Sequence, residues 1–248
     1  LSYFGQDLRT SSNVAIIGST DSRISGLQLF KPILAGVRAS DRLFACVGAS
    51  AGIAFALFAC SLLAFSRADF PLVVAPLGAS AVLVFAVPSS PMAQPWPVIG
   101  GNIISTLVGV GIYKVIPDMG VAASVAVGLA ILVMSLLRCL HPPGGASALT
   151  AVIGTDAIHS MGFEFALIPV GINSISLVLA GLLFHRLSAH SYPHRPAPVA
   201  DSGLHLADID AALEDMHESF DISREDLSAL LTQAEMHAIK RQTSSWRP

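Results

Sequence analysis

Residues 141–154 read HPPGGASALTAVIG and directly follow a long apolar run. Pro142 and Pro143 cannot continue a helix, whereas a proline in the first turn followed by small residues starts one well. The expected outcome is a helix that breaks and restarts at membrane depth. In hydrocarbon such a break leaves main-chain N–H groups without partners, so it persists only where protein, water or a ligand satisfies them. The stretch is therefore the first place to look for function.

The composition around it supports a membrane setting. Hydrophobic residues make up 53% of the 248-residue chain and charged residues only 12%, about half of the roughly 25% usual in soluble domains. Between Leu43 and Phe184 there are seven charged side chains, namely Arg67, Asp69, Lys114, Asp118, Arg138, Asp156 and Glu164, and the other 24 lie in the two ends. A net charge of -3 offers no basic surface of the kind that binds nucleic acid. Cys46, Cys60 and Cys139 stand apart in apolar surroundings, without paired or metal-ligand spacing, and read as small packing residues. No metal or other cofactor is expected. Nor is an enzyme, because the chain lacks an HExxH, a Ser/His/Asp set or a paired-carboxylate spacing.

Taken in order, residues 1–30 read as a mobile arm, and residues 31–190 as the transmembrane domain. Lys31, Arg38 and Arg42 precede the first apolar run, which places that end in the cytoplasm by the positive-inside rule. Residues 43–66 form an uncharged run of 24, long enough at 1.5 Å per residue to cross about 30 Å of hydrocarbon. Gly48 and Gly52 give this helix a face for close packing. Residues 71–87 are too short for a comfortable span and are split by Pro76. Residues 97–116, with Gly101, Ser105 and Gly109 on one face, make a second span, residues 121–140 a third and residues 163–184 a fourth. The last ends against His185 and Arg186. Basic flanks at both outer edges predict an even number of crossings with both termini cytoplasmic.

An internal repeat organises these segments. Pro76-Leu-Gly-Ala-Ser-Ala81 matches Pro143-Gly-Gly-Ala-Ser-Ala148 at five of six positions. Each copy is followed by a Pro-Val pair and then a Gly and an Asn, at Pro97, Val98, Gly101 and Asn102 and at Pro169, Val170, Gly171 and Asn173. The fold class that follows is all-α: a polytopic transmembrane bundle of two duplicated halves, each a long helix, a short helix started by Pro and Gly, and a long helix. Short segments that cross make the halves inverted, with three crossings each. Short segments that re-enter make them parallel, with two.

Residues 191–200 form a Pro-rich linker. Beyond it the composition turns acidic, with ten acidic and three basic residues between Asp201 and Gln242. Residues 201–248 are expected to form a cytoplasmic helical hairpin. Leu206, Ile209, Leu213 and Met216 share one helical face, and Ser223 with Asp226 resembles a capping box that opens a second helix carrying Leu227, Leu230, Leu231 and Ala234. An apolar stripe of this kind needs a partner, such as the other helix or a second copy of the chain, which makes a homo-oligomer through these helices an expectation.

The repeated segments also suggest chemistry. Helix N-termini at Pro76, Pro142 and Pro143 would offer partial positive charge and free N–H donors, which suit a small anion. Ser80 and Ser147 add hydroxyls. Gly78, Gly144 and Gly145 would let an ion approach the main chain. Asn102 and Asn173 could bond across helices or line a path, with cross-helix bonding favoured. His141 could gate the loop or simply be a satisfied loop residue; its counterpart in the first half is Val74, so the paired backbone ends carry more weight than the imidazole. Arg138 and Lys114 read as side chains reaching toward the interface. The absence of an intramembrane carboxylate ladder fits an anion better than a cation or proton.

The strings APLGASAVLVFAVPSSPMAQPWPVIGGNIIS and LHPPGGASALTAVIG resemble the HPP family of integral membrane proteins, across about residues 30–190. The resemblance implies four transmembrane helices. It further implies nitrite transport, with which plant and cyanobacterial members are associated, and, in many bacterial members, a following pair of nucleotide-sensing CBS domains, before which this sequence stops. The combined expectation is a bacterial inner-membrane transporter or channel for a small monovalent inorganic anion, nitrite foremost, with the lipid bilayer as its solvent. The competing expectation is a membrane-anchored sensor or scaffold that works through its acidic tail.

Overall fold

The computed structural model describes residues 39–62, 74–187, 191–196, 205–216 and 221–244. The predicted arm at 1–30 lies outside these, as do residues 63–73 and parts of the linker and tail. The described helices are α1 (Ala39–Ser61), α2 (Pro76–Ala86), α3 (Pro95–Val115), α4 (Met119–Leu136), α5 (Pro142–Ile153), α6 (Asp156–Met161), α7 (Ile172–Arg186), α8 (Leu206–Met216) and α9 (Arg224–Ser244). A short 3-10 turn at Pro91–Ala93 precedes α3, and a widened, π-type segment at Ala166–Gly171 leads into α7.

Among the described residues four helical stretches are long and apolar enough to cross a membrane: Ser40–Ser61, Pro95–Val115, Met119–Leu136 and Ala166–Arg186. They coincide with the four spans read from hydropathy, shifted by a few residues where prolines set the start. Pro95 and Pro142 open α3 and α5, where the missing N–H of proline removes no intrahelical bond. Asp118 caps α4 by accepting the Val121 N–H at 2.8 Å. Outward-facing leucines, valines and phenylalanines such as Leu43, Phe58, Leu132 and Leu183 stay exposed on the bundle, as expected where lipid replaces water.

Contacts between helix ends give the path of the chain. Phe85, at the end of α2, meets Phe184, at the end of α7, with ring centroids 5.4 Å apart, and Phe44, near the start of α1, reaches Phe184 at 6.2 Å. The His185 imidazole donates to the Val84 carbonyl at 2.9 Å, and Trp96, starting α3, donates to the carbonyl of Leu137, ending α4. One end of the bundle therefore gathers the start of α1, the ends of α2, α4 and α7, and the start of α3. The far end gathers Ala122 and Ala126 of α4, Val152 of α5 and Ile112, Tyr113 and Ile116 of the α3 terminus. The short helices run lengthwise and do not turn back. α2 descends toward the near end and α5 climbs away from it, so α1–α2–α3 and α4–α5–α7 each make three legs in opposite senses. At 11 residues, α2 spans only about 16 Å.

Glycines set how closely these legs approach. A Cβ on Gly101 would lie 2.6 Å from His141 Cβ and 2.8 Å from the Cys139 carbonyl, and one on Gly109 would enter the Ala148 main chain. The predicted Gly101–Ser105–Gly109 face is thus the seam between α3 and α5. Gly48 and Gly52 perform the same service for α1, under Phe85, Phe184 and Leu177.

The tail forms two helices, as expected, and Ser223 caps α9 by accepting the Asp226 N–H at 3.1 Å. The buried face differs from the leucine stripe. Ser228 and Thr232 are buried while Leu230 and Leu231 face outward. The rotation of α9 is set by the polar tethers of Asp221 and Asp226, described below, rather than by its leucines.

Candidate functional site

Four of the sequence-predicted residues meet in one buried hydrogen-bonded network between α2, α3 and α5. His141, the residue just before α5, has an Nδ1–H that can only donate to the Met92 carbonyl, at 2.8 Å. In the neutral imidazole that bond places the proton on Nδ1 and leaves a lone pair on Nε2. Ser80, on the second turn of α2, donates its hydroxyl to this nitrogen at 2.8 Å. Asn102 of α3 donates from Nδ2 to Ser80 Oγ at 3.1 Å and to the Val98 carbonyl at 3.0 Å. Its Oδ1 accepts from Ser147 Oγ of α5 at 2.8 Å. Every proton has an acceptor, and all four side chains are at most 2% exposed.

The remaining predicted residues are distributed around this network. The Pro76 and Pro143 carbonyls sit 3.3 Å from Ser80 Oγ and Ser147 Oγ, as longer alternative acceptors. Gly144 is filled by its neighbours: a Cβ there would lie 2.8 Å from Ser105 Oγ and 2.9 Å from the Gly101 carbonyl. Gly78 has nothing within 4 Å of its added Cβ, and Gly145 only Val127 at 4.0 Å. Both face outward, so neither opens the main chain to an interior ligand. Pro142 is exposed and Pro143 buried. The two short helices lie side by side and antiparallel, their hydroxyls engaged with Asn102 and His141.

Asn173 stands apart. It is fully buried near the start of α7, just after the Pro169 break, yet neither Nδ2 nor Oδ1 has a hydrogen-bond partner. Ser105 Oγ on α3 is likewise buried and unpartnered. Gly171, two residues before Asn173, packs against Ile103 of α3, so this break adjoins the helix that carries Asn102 and Ser105. An amide buried without partners costs about 1–3 kcal/mol. Such a group is rare in a native bundle, where buried polar atoms are nearly all paired.

Arg138 and Lys114, expected to reach toward the interface, are both exposed. Arg138 is exposed and ends α4 in the left-handed conformation, with φ 54°. The Cys139 and Arg138 N–H groups return to the Met134 and Ser135 carbonyls at 2.9 and 3.2 Å, the paired closure usually built on glycine. Lys114 lies over the Phe163 ring at 5.8 Å.

Sequence reasoning missed Met92 and Ser90, whose loop supports the histidine, and it missed the Ser80–His141 pair itself. The donor order matches a serine–histidine dyad with a main-chain carbonyl where a hydrolase places a carboxylate. Ser80 and His141 have no exposed surface, however, so in this conformation no substrate bond reaches Ser80 Oγ. Among the described residues no three His, Cys, Asp or Glu side chains gather into a set able to hold a metal ion.

Comparison with known proteins places this architecture. The model of the HPP transmembrane region matches residues 35–193. The chain belongs to the HPP transmembrane family. That match encloses α1 to α7, the buried network and Tyr192, and leaves α8 and α9 outside. A transmembrane protein of Dictyostelium discoideum is 35% identical over 131 residues, covering 51% of this chain and 46% of its own length. A second Dictyostelium discoideum transmembrane protein is 37% identical over 120 residues, covering 46% of this chain and 38% of its own. The chain thus spans less than half the length of these curated relatives. No solved structure matches it.

Proposed function

We propose that this HPP membrane domain transports a small monovalent inorganic anion, nitrite foremost, and that Asn173 is the polar contact for it inside the bundle. The observation that carries the reading is the Asn173 amide: buried, unpaired on both polar atoms, and placed where α7 restarts after the break at Pro169. A broken helix at membrane depth is tolerated where it lines a cavity, and the restart adds main-chain donors and positive dipole. Ser105 supplies a further unpartnered hydroxyl. The opposed three-leg paths support duplicated, inverted halves, an arrangement from which many secondary transporters are built. On this reading the Ser80, Asn102, His141 and Ser147 cluster holds the halves together, and Asn173 is left free for the solute. Both termini are assigned to the cytoplasm of a bacterial cell.

Purified protein reconstituted into liposomes should pass nitrite faster than protein-free liposomes, with nitrate and chloride as comparison anions. Asn173→Leu should remove that flux with the folded protein still in the bilayer. Equal flux with and without protein would overturn the reading. Flux untouched by Asn173→Leu would remove Asn173 from it.

A second reading, a membrane-anchored sensor acting through its acidic tail, is favoured by one observation, the docking of Asp221 on Ser90 of the membrane domain and of Asp226 on His194 of the linker. The outward-facing Leu230, Leu231, Met236 and Ile239 of α9 would then serve self-association. Light scattering of the full chain in nanodiscs, before and after Leu230→Glu, tests that association.

A further inference from the structure

The tail and the buried network meet at one short loop. Ser90 Oγ donates to the Asp221 carboxylate, 2.9 Å from each oxygen, and accepts the Met92 N–H at 3.1 Å. Met92 in turn gives its carbonyl to His141 Nδ1–H. A second tether runs in parallel. The His194 N–H donates to Gln94 Oε1 at 2.9 Å, and Gln94 Nε2 donates to the Pro88 and Ser90 carbonyls at 2.9 and 2.8 Å. His194 Nε2 pairs with Asp226 at 2.9 Å, on the same carboxylate that receives the Ser223 hydroxyl at the start of α9. Tyr192 closes the junction by donating to the Ala93 carbonyl at 2.9 Å. Burial pushes the Tyr192 phenol above its ordinary range, which keeps it a donor.

We propose that the tail is a control arm, and that docking of Asp221 and His194–Asp226 on residues 88–94 sets the state of the Ser80–Asn102–His141–Ser147 network. The physical link is the Met92 carbonyl. His141 Nδ1–H is buried, and if the 3-10 turn at Pro91–Ala93 shifts, that donor is stranded where no water replaces the lost acceptor. The imidazole must then reorient, withdrawing Nε2 from Ser80 and disturbing both bonds of Asn102 that face α2 and α5. Charge-assisted bonds from a carboxylate are the ones able to hold such a turn. The proposal names regulation of the same membrane domain discussed above, and its test reads structure, so it stands or falls separately from anion flux.

Hydrogen exchange with mass spectrometry on the full chain in lipid nanodiscs reads both ends at once. In Asp221→Ala/His194→Ala, exchange should rise about tenfold in residues 88–94 and in residues 139–147, where Gly144 N–H bonds the His141 carbonyl. Because coupling is reciprocal, His141→Ala should raise exchange in residues 221–227 by a similar factor. Arg224→Ala, which removes only the exposed pair with Asp210, should leave residues 139–147 unchanged and guards against general destabilisation. Faster exchange confined to residues 88–94 and 221–227 in the tail variant would overturn the proposal, as would an unchanged tail in His141→Ala.

Discussion

Asn102 and Asn173 each sit a few residues into a membrane-length stretch, Pro95–Val115 and Ala166–Arg186, and the bundle treats them oppositely. Asn102 uses both of its N–H protons and its carbonyl oxygen on Ser80, Val98 and Ser147. Asn173, equally buried, uses none. Only the first of the two is locked into the bundle by its side chain. Ser80 of α2 and Ser147 of α5 converge on Asn102, whereas Asn173 faces a gap in the hydrogen bonding. On the proposed transport reading this asymmetry leaves one asparagine able to recognise a solute, since full pairing of both would leave nothing to do so.

The largest effect that would break the comparison is Asn102→Leu. It removes three bonds and leaves Ser147 Oγ only its longer contact to the Pro143 carbonyl, and should lower unfolding stability in detergent by about 3 kcal/mol. Asn173→Leu should act in the other direction, raising stability by about 1 kcal/mol because two unpaired groups vanish while the volume is kept. A matching loss in both variants would show that Asn173 is paired as fully as Asn102. Of similar or smaller size is Arg138→Gly, which relieves a left-handed residue at the end of α4 and should raise stability by about 1 kcal/mol. It leaves the asparagine contrast intact, so a change in nitrite flux in this variant would implicate the α4–α5 connection in the path.

Much of this fold is legible in the sequence, and the reasons can be named. The four spans follow from length and hydropathy, which depend on lipid alone. The starts of α2 and α5 follow from proline, a local rule. What the residues could not announce was pairing across long separations. Ser80 and His141 are 61 positions apart, and the repeat aligns His141 with Val74 rather than with Ser80. Small residues in the repeated motif look alike on paper, yet Gly144 is jammed against Ser105 and the Gly101 carbonyl while Gly78 and Gly145 have open space. Which face a glycine presents is decided by helix rotation, and rotation is decided by partners distant in the chain. The tail shows the same effect: its leucines predict one buried face, and two carboxylates select another.

The glycine seams have a mechanical consequence. α3 and α5 touch main chain to main chain through Gly101, Gly109 and Gly144, with no clearance for a methyl group, and α2 and α7 meet as tightly at Gly181, where a Cβ would lie 2.6 Å from Val84. Neither seam can slip. The molecule is geared as two stiff trios, α3–α4–α5 and α1–α2–α7, and the side-chain bonds of the buried network that cross between them are the two at Ser80 Oγ, to Asn102 and to His141. Each is worth about 1 kcal/mol net. Ser80 is therefore a clasp: the place where the two trios can part with the least work.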